Sequence, residues 1–257
     1  MSKTPFFIGW AAPPKPLRPF LLLVAALSLL AFALAAYVTA ATQNDPGAGA
    51  FRWDWGPMTL TGTLETKPYP VLHVTDGEHG LAGQSILLSG VGKRGAQRQA
   101  EGLEGMRVAA TGIMLTRGDL LMMQVRGNDT GLVAAQAQEA IASTSGQPGK
   151  EALGSWKLTG EICDGKCYAG AMRPGTGLAH RACANLCLTG GAPPVFVATG
   201  AVDGAEFFLM GDENGEPLGV ETLKAWTALR VTLSGTIERR GTMPLLFADL
   251  SSVELAQ

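Results

Sequence analysis

Cys163, Cys167, Cys183 and Cys187 are all the cysteines of this 257-residue chain, and His180, one of three histidines, lies among them. The pattern reads C-x3-C, a gap of twelve residues, then H-x2-C-x3-C. Thiolate and imidazole together suit zinc, copper(I) or iron–sulfur centres, and paired cysteines plus histidine are the usual donors of structural zinc sites. On a helix, Cys183 and Cys187 at i and i+4, and His180 and Cys183 at i and i+3, share one face. Cys167 or Cys163 then completes the set from the opposite arm. The candidate metal ligands are Cys167, His180, Cys183 and Cys187, with Cys163 as a fifth. Two other chemistries fit the same residues. An even number of cysteines in an exported chain also reads as two disulfides, which would stabilise a glycine-rich loop by a few kcal/mol. The pairs could also cycle between thiol and disulfide in turnover. One disulfide beside a His/Cys copper site would satisfy both readings.

Some centres are excluded by spacing. A c-type haem needs C-x-x-C-H and a thioredoxin-like site C-x-x-C, and neither occurs. A Rieske centre needs two histidines near its cysteines, but His73 and His79 lie far upstream. Those two histidines also leave no convincing Ser/His/Asp set, so no residue is assigned a catalytic role. Lys166, Arg173 and Arg181 lie close to the cysteines in sequence and would favour thiolates if they face them; as surface residues they would simply be solvated.

The elements that must display this stretch begin with an anchor. Phe20 to Ala41 is a run of 22 residues without a charge, and roughly 20 apolar residues span a bilayer as a helix. Lys3, Lys15 and Arg18 precede it and Asp45 is the next charge. The positive-inside rule then keeps the N-terminus cytoplasmic and carries the rest across. The run is too long for the apolar core of a signal peptide, the rival reading, whose cleavage site would fall near Val38-Thr39-Ala40. The expected layout is a cytoplasmic N-terminus (1–18), a transmembrane helix (19–41) in a bacterial inner membrane, a linker (42–50), and periplasmic domains beyond it. With 46% hydrophobic residues, 16% charged and a net charge of −2, the chain has no basic field for nucleic acid.

Beyond the linker the chain reads as short β runs punctuated by glycine, and the order occurs twice. Gly112 and Gly235 lie 123 residues apart, as do Gly118 and Gly241; Gly90 and Gly211 lie 121 apart, Gly62 and Gly160 only 98. The second half therefore carries an insertion of 23 residues after its first strand, and that insertion is the Cys/His stretch. Strand, strand, strand, helix, strand, strand is the order of an OB-fold, whose loop between the first two strands often holds ligands. The predicted fold is mainly β, with two tandem OB-like barrels: domain 1 at 51–130, a linker or helix at 131–154, and domain 2 at 155–257.

Three further features stand out in the sequence. Gly90-Val91-Gly92-Lys93-Arg94-Gly95 matches G-x-G-x-x-G, but without a βαβ unit around it the motif reads as a surface turn. Lys93 and Arg94 in it form a small anion or partner patch. Tyr69, between Pro68 and Pro70, stiffens a loop that could contact a partner. Phe51, Trp53 and Trp55 cluster just after the linker, either at a membrane interface or packed beneath the first barrel.

Gly160-Glu161-x-x-Asp164-x-Lys166-Cys167-Tyr168, His180-Arg181-x-Cys183-Ala184-x-x-Cys187 and Gly190-Gly191-x-Pro193-Pro194 together resemble a signature of bacterial membrane-anchored or exported proteins that carry a similar barrel-like tail. The resemblance covers about forty residues and implies no activity. It implies that Cys167, His180, Cys183 and Cys187 are the fixed set and that Cys163 is an extra, since its position is usually aliphatic. The function expected is that of an accessory or assembly protein for a membrane redox or transport complex, with zinc or copper in its Cys/His loop or disulfides stapling it. The alternative is a thiol–disulfide or copper-handling protein.

Overall fold

The computed structural model describes residues 13–42, 47–135 and 148–256. Most of the expected cytoplasmic segment, the middle of the expected first linker and the centre of the 131–154 connection lie outside the described residues. Two compact units are present, one ending at Asp45 and the other running from Pro46 to Gln257.

In the first unit a single helix, α1 (Arg18–Thr42), follows a 3-10 turn at Lys15–Leu17. Pro19 is tolerated because the first turn of a helix has no partner for its N–H groups. The most apolar window of the stretch Lys15–Ala40 has a mean hydropathy of 2.6, and none of it is buried. It is long and apolar enough to cross a membrane.

The second unit is mainly β. Its first half contains β1 (Ala50–Phe51), β2 (Met58–Glu65), β3 (Val71–Asp76), β4 (Ser85–Ser89), the short helix α2 (Gln97–Ala100), β5 (Arg107–Arg117), β6 (Leu120–Val125) and β7 (Leu132–Ala134). Strand β2 alternates as expected, with Met58, Leu60 and Leu64 inward and Thr59 exposed. It pairs antiparallel with β3 and β5; β3 pairs β4; β4 runs parallel to β6; and β6 returns to β5. The second half contains β8 (Lys150–Asp164), α3 (Arg181–Thr189), β9 (Pro194–Val202), β10 (Ala205–Gly211), α4 (Val220–Trp226), β11 (Arg230–Arg240) and β12 (Met243–Leu255). Its five strands close a barrel in the order β10-β12-β11-β8-β9, with β10 and β12 parallel. The ends of the expected 131–154 linker are strand: β7 pairs with β5, and residues from Lys150 onward already belong to β8.

Gly62 and Gly160 play the same part in the two halves. A Cβ on Gly62 would lie 2.2 Å from the carbonyl oxygen of His73 in β3, and one on Gly160 2.2 Å from that of Val197 in β9. Only glycine lets the first strand approach the second so closely.

The two halves are not independent. Leu60, Leu72, Ile86, Leu88, Met114 and Met123 fill the first half, and Phe196, Phe208, Met210, Val231 and Leu246 fill the second. A third core lies between them, built from Tyr69, Leu87, Leu115, Leu120 and Met122 on one side and Tyr168, Val195, Phe207, Leu209, Met243 and Leu245 on the other. Strands β4, β6 and β10 and the start of β12 are therefore buried on both faces. At roughly 1.5–3 kcal/mol for each large apolar side chain fully removed from water, this shared core binds the halves into one body. Tyr69, expected on a contact surface for a partner, is 4% exposed and belongs to it. Burial pushes its hydroxyl up to about 12.

A polar network crosses the same boundary. Glu65 accepts from His73 Nε2 at 3.1 Å, His73 Nδ1 meets Ser85 Oγ at 2.9 Å, and Ser85 Oγ accepts the Thr242 N–H at 3.0 Å. Arg240, 8% exposed, pairs with both Glu65 and Glu238.

Candidate metal centre

The insertion runs from Gly165 to Pro193, between β8 and β9, where the first half has only residues 66–70 between β2 and β3. Its base is pinched shut by the Gly165 N–H donating to the Pro193 carbonyl at 2.8 Å. Three short pieces fill it: a π-type turn at Cys167–Ala171, a 3-10 turn at Leu178–His180, and α3.

Asp164, the last residue of β8 and fully buried, organises the start of the arm. Its Oδ1 accepts the Cys167 N–H at 2.8 Å and so caps the turn that carries that cysteine. Its Oδ2 accepts from His180 Nε2 at 2.9 Å. A carboxylate on one ring nitrogen fixes the tautomer and frees the other nitrogen for a metal. Here that leaves Nδ1, which lies 3.2 Å from Met172 Sδ. His180 is 1% exposed, so its ring is held on all sides.

The sulfurs converge on this ring. Cys167 Sγ lies 3.9 Å from Cys183 Sγ and 3.8 Å from Cys187 Sγ. Ligand atoms of Cys167, His180 and Cys183 lie within 4.8 Å of one another, as do those of Asp164, Cys167 and Cys187. Four ligands at zinc–sulfur bond lengths of ~2.3 Å around a tetrahedron stand about 3.8 Å apart. The measured sulfur separations match that edge, whereas a disulfide needs about 2.05 Å. None of the four cysteines is in a disulfide. Cys167, common to both groups, is the hub. The sequence placed Cys167, His180, Cys183 and Cys187 together as candidate ligands, and the fold gathers them in two overlapping groups that share Cys167.

Cys163 stands apart. It belongs to neither group, faces the core shared by the two halves, and donates to Glu161 Oε1 at 3.1 Å. Burial, with Glu161 beside it, pushes its thiol well up.

Three participants were not assigned to the centre from the sequence. Asp164 was visible in the signature, and its place three residues before Cys167 is the signal of a side chain capping a turn. Met172 gave no signal. Lys93 comes from the first half: its Nζ donates to Cys183 Sγ at 2.7 Å and lies 3.7 Å from Cys187 Sγ. The hydrogen bond to Cys183 pushes the lysine up. Cys187 is brought down to about 7, first by the hydrogen bond from Cys167 and then by Lys93; the same bond, with burial, raises Cys167. Lys166, 3% exposed, lies near the sulfurs but donates to the carbonyls of Gly90 and Gly92 at 2.6 and 2.7 Å, and burial lowers it to about 8.

The glycine-rich stretch Gly90–Gly95 is thus no open phosphate cradle. Its Gly95 N–H donates to the Gly190 carbonyl at 3.0 Å, and Gln97 Nε2 donates to the Gly191 carbonyl at 2.7 Å. A Cβ on Gly190 would sit 1.7 Å from the Lys93 carbonyl oxygen. Gly190→Ala is expected to destabilise the chain by about 1–3 kcal/mol, as overpacking does, with the loss read by chemical denaturation. Arg94 stays exposed and lends its carbonyl to the Gly90 N–H. Arg173 reaches the Gly49 carbonyl and Arg181 the carbonyls of Lys224 and Ala225, so neither contacts a sulfur. Trp53 is 66% exposed and stacks on Phe51, while Trp55 stacks on His79 and lies under Arg52.

No protein-family model, curated protein or solved structure matches the chain.

Proposed function

We propose that this is a membrane-anchored accessory protein whose two halves are OB-like barrels, the second carrying a mononuclear Cys3His metal centre. The observation that carries the metal reading is that Cys167 lies 3.8–3.9 Å from two further sulfurs and shares a ligand-sized group with His180, whose ring is oriented by a buried carboxylate. The ligands are Cys167, Cys183, Cys187 and His180 Nδ1; Asp164 orients, and Met172 packs beside the ring. Three thiolates suit zinc or copper(I).

The barrel reading is supported by the same pairing in each half: first strand with second and fourth, second with third, fourth with fifth, and third parallel to fifth. A helix separates the third and fourth strands both times. Duplication followed by one insertion accounts for the glycine offsets and for the shared role of Gly62 and Gly160. The metal arm then occupies the loop where such barrels often hold ligands, the apolar helix α1 supports a single-pass anchor, and the positive charges ahead of it, Lys15 and Arg18, favour barrels outside the cytoplasm. The role in a membrane redox or transport complex rests on this design of anchor plus rigid, metal-held module. The second reading, thiol exchange, draws on Cys187, whose lowered thiol lies 3.8 Å from Cys167.

Elemental analysis of the full chain purified in detergent tests the proposal. The expected result is about one zinc or copper per chain, with three thiols alkylated only after chelation and Cys163, which is buried but outside the centre, alkylated in denaturant alone. No stoichiometric metal and two disulfides, or a mixed disulfide with another protein, would overturn it.

A further inference from the structure

The loop Gly90–Gln97 lies in the first half, yet nearly all its long-range polar contacts go to the arm of the second. Lys166 holds the Gly90 and Gly92 carbonyls, the Gly95 amide holds Gly190, and Gln97 holds Gly191. Lys93, itself exposed, brings its ammonium to Cys183 and Cys187. Each anchor on the arm adjoins a ligand: Lys166 precedes Cys167, and Gly190 and Gly191 follow the helix that carries Cys183 and Cys187. The arm has little core of its own: Cys167, Cys187 and Ala192 form a small cluster with Cys183 at its edge.

We propose that this loop is the outer shell of the metal centre, and that metal occupancy decides whether it stays docked, so that the centre acts as a latch between the halves with Lys93 as its positioning residue. The inference rests on the metal reading above. An ammonium donating to a metal-bound thiolate stabilises its charge and weakens its donation to the metal. Charge supports a divalent occupant. Three thiolates and Asp164 bring four negative charges; a divalent ion with Lys93 and Lys166 brings four positive ones. A monovalent ion would leave one negative charge uncompensated in a largely buried site, which is costly.

The test uses the full chain in detergent. Cobalt(II) is titrated into the chelated protein while its thiolate-to-metal charge-transfer bands are recorded. Hydrogen exchange of residues 90–97 is then followed with zinc bound and after chelation. In the wild type, chelation should raise exchange of this loop by about an order of magnitude while leaving β5 unchanged. Lys93→Met should weaken cobalt binding about tenfold, as loss of an outer-shell partner does, and should shift the charge-transfer band; Lys93→Arg should restore most of both. A loop equally protected with and without metal, or a Lys93→Met chain with wild-type affinity and band, would overturn the latch alone. A wild-type chain that takes up neither cobalt nor zinc would overturn the metal reading and the latch together.

Discussion

If the proposed centre holds a metal, Cys167→Ser is expected to remove it, with a loss of affinity well beyond the roughly 10–100-fold that outer-shell partners command. Cys167 is the hub: it lies within 4 Å of both other cysteines and belongs to both ligand groups. A serine hydroxyl is not ionised at neutral pH and is a harder donor, so neither charge nor softness is replaced. Because ligands are ordered by metal as much as metal by ligands, the affinity is also folding free energy for the arm. The arm packs Tyr168 and Ala169 into the core shared by the halves, so its loosening should propagate. The expected readouts are loss of metal by elemental analysis and a lower, less cooperative unfolding transition. Cys163→Ser, outside the centre, should keep the metal. A Cys167→Ser chain with full metal content would remove Cys167 from the ligand set.

Arg240→Ala is the second large effect, expected to cost about 3–5 kcal/mol, the usual penalty for removing one partner of a buried ion pair. The side chain of Arg240 is 10% exposed and that of Glu65 18% exposed, and Arg240 also holds Glu238 and the Lys67 carbonyl. Without it two carboxylates lose their counter-charge at the boundary between the halves. Glu65 supplies a pH signature. Burial pushes its carboxyl up, but the hydrogen bond from His73 and the charge of Arg240 more than reverse this, leaving it below the ordinary value. A carboxyl lowered on folding contributes stability that is present above its unfolded pKa, about 4.3, and is lost as pH falls through the folded value. The wild type should therefore hold its stability down to about that pH before declining. In Arg240→Ala the Glu65 carboxyl loses a charge that lowers it, so its share of the acid decline should shrink or reverse, and Glu65→Gln should recover part of the loss. Urea unfolding of the full chain from pH 3 to 8 measures both; two single losses that simply add would show that Arg240 and Glu65 do not interact.

The contrast between β2 and β4 shows how far residue patterns carry. β2 alternates because one face meets a core and the other does not, and that is legible from its own residues. β4 reads Ile86-Leu87-Leu88, a continuous apolar run, as does Phe207-Phe208-Leu209-Met210 in β10. Such runs signal strands buried on both faces, and here the second face is the other half of the molecule. The runs were visible, but what covers them was not. The same holds for Tyr69: flanking prolines marked a stiff loop, and only the packed structure makes it internal.

Residue types and spacing by themselves determined the apolar helix, the order of short strands, the glycine correspondence of the two halves, and the identity of four candidate ligands. These depend on periodicity, turn chemistry and composition, which act between near neighbours along the chain. Only the tertiary structure decided that Cys163 leaves the cluster, that Asp164 orients His180, and that Lys93 reaches Cys183 across 90 residues. Such contacts depend on strand register and on how two curved sheets meet. A shift of a single residue in a strand turns every side chain to the opposite face, so the completed centre is a property of the packed halves rather than of the arm that carries its cysteines.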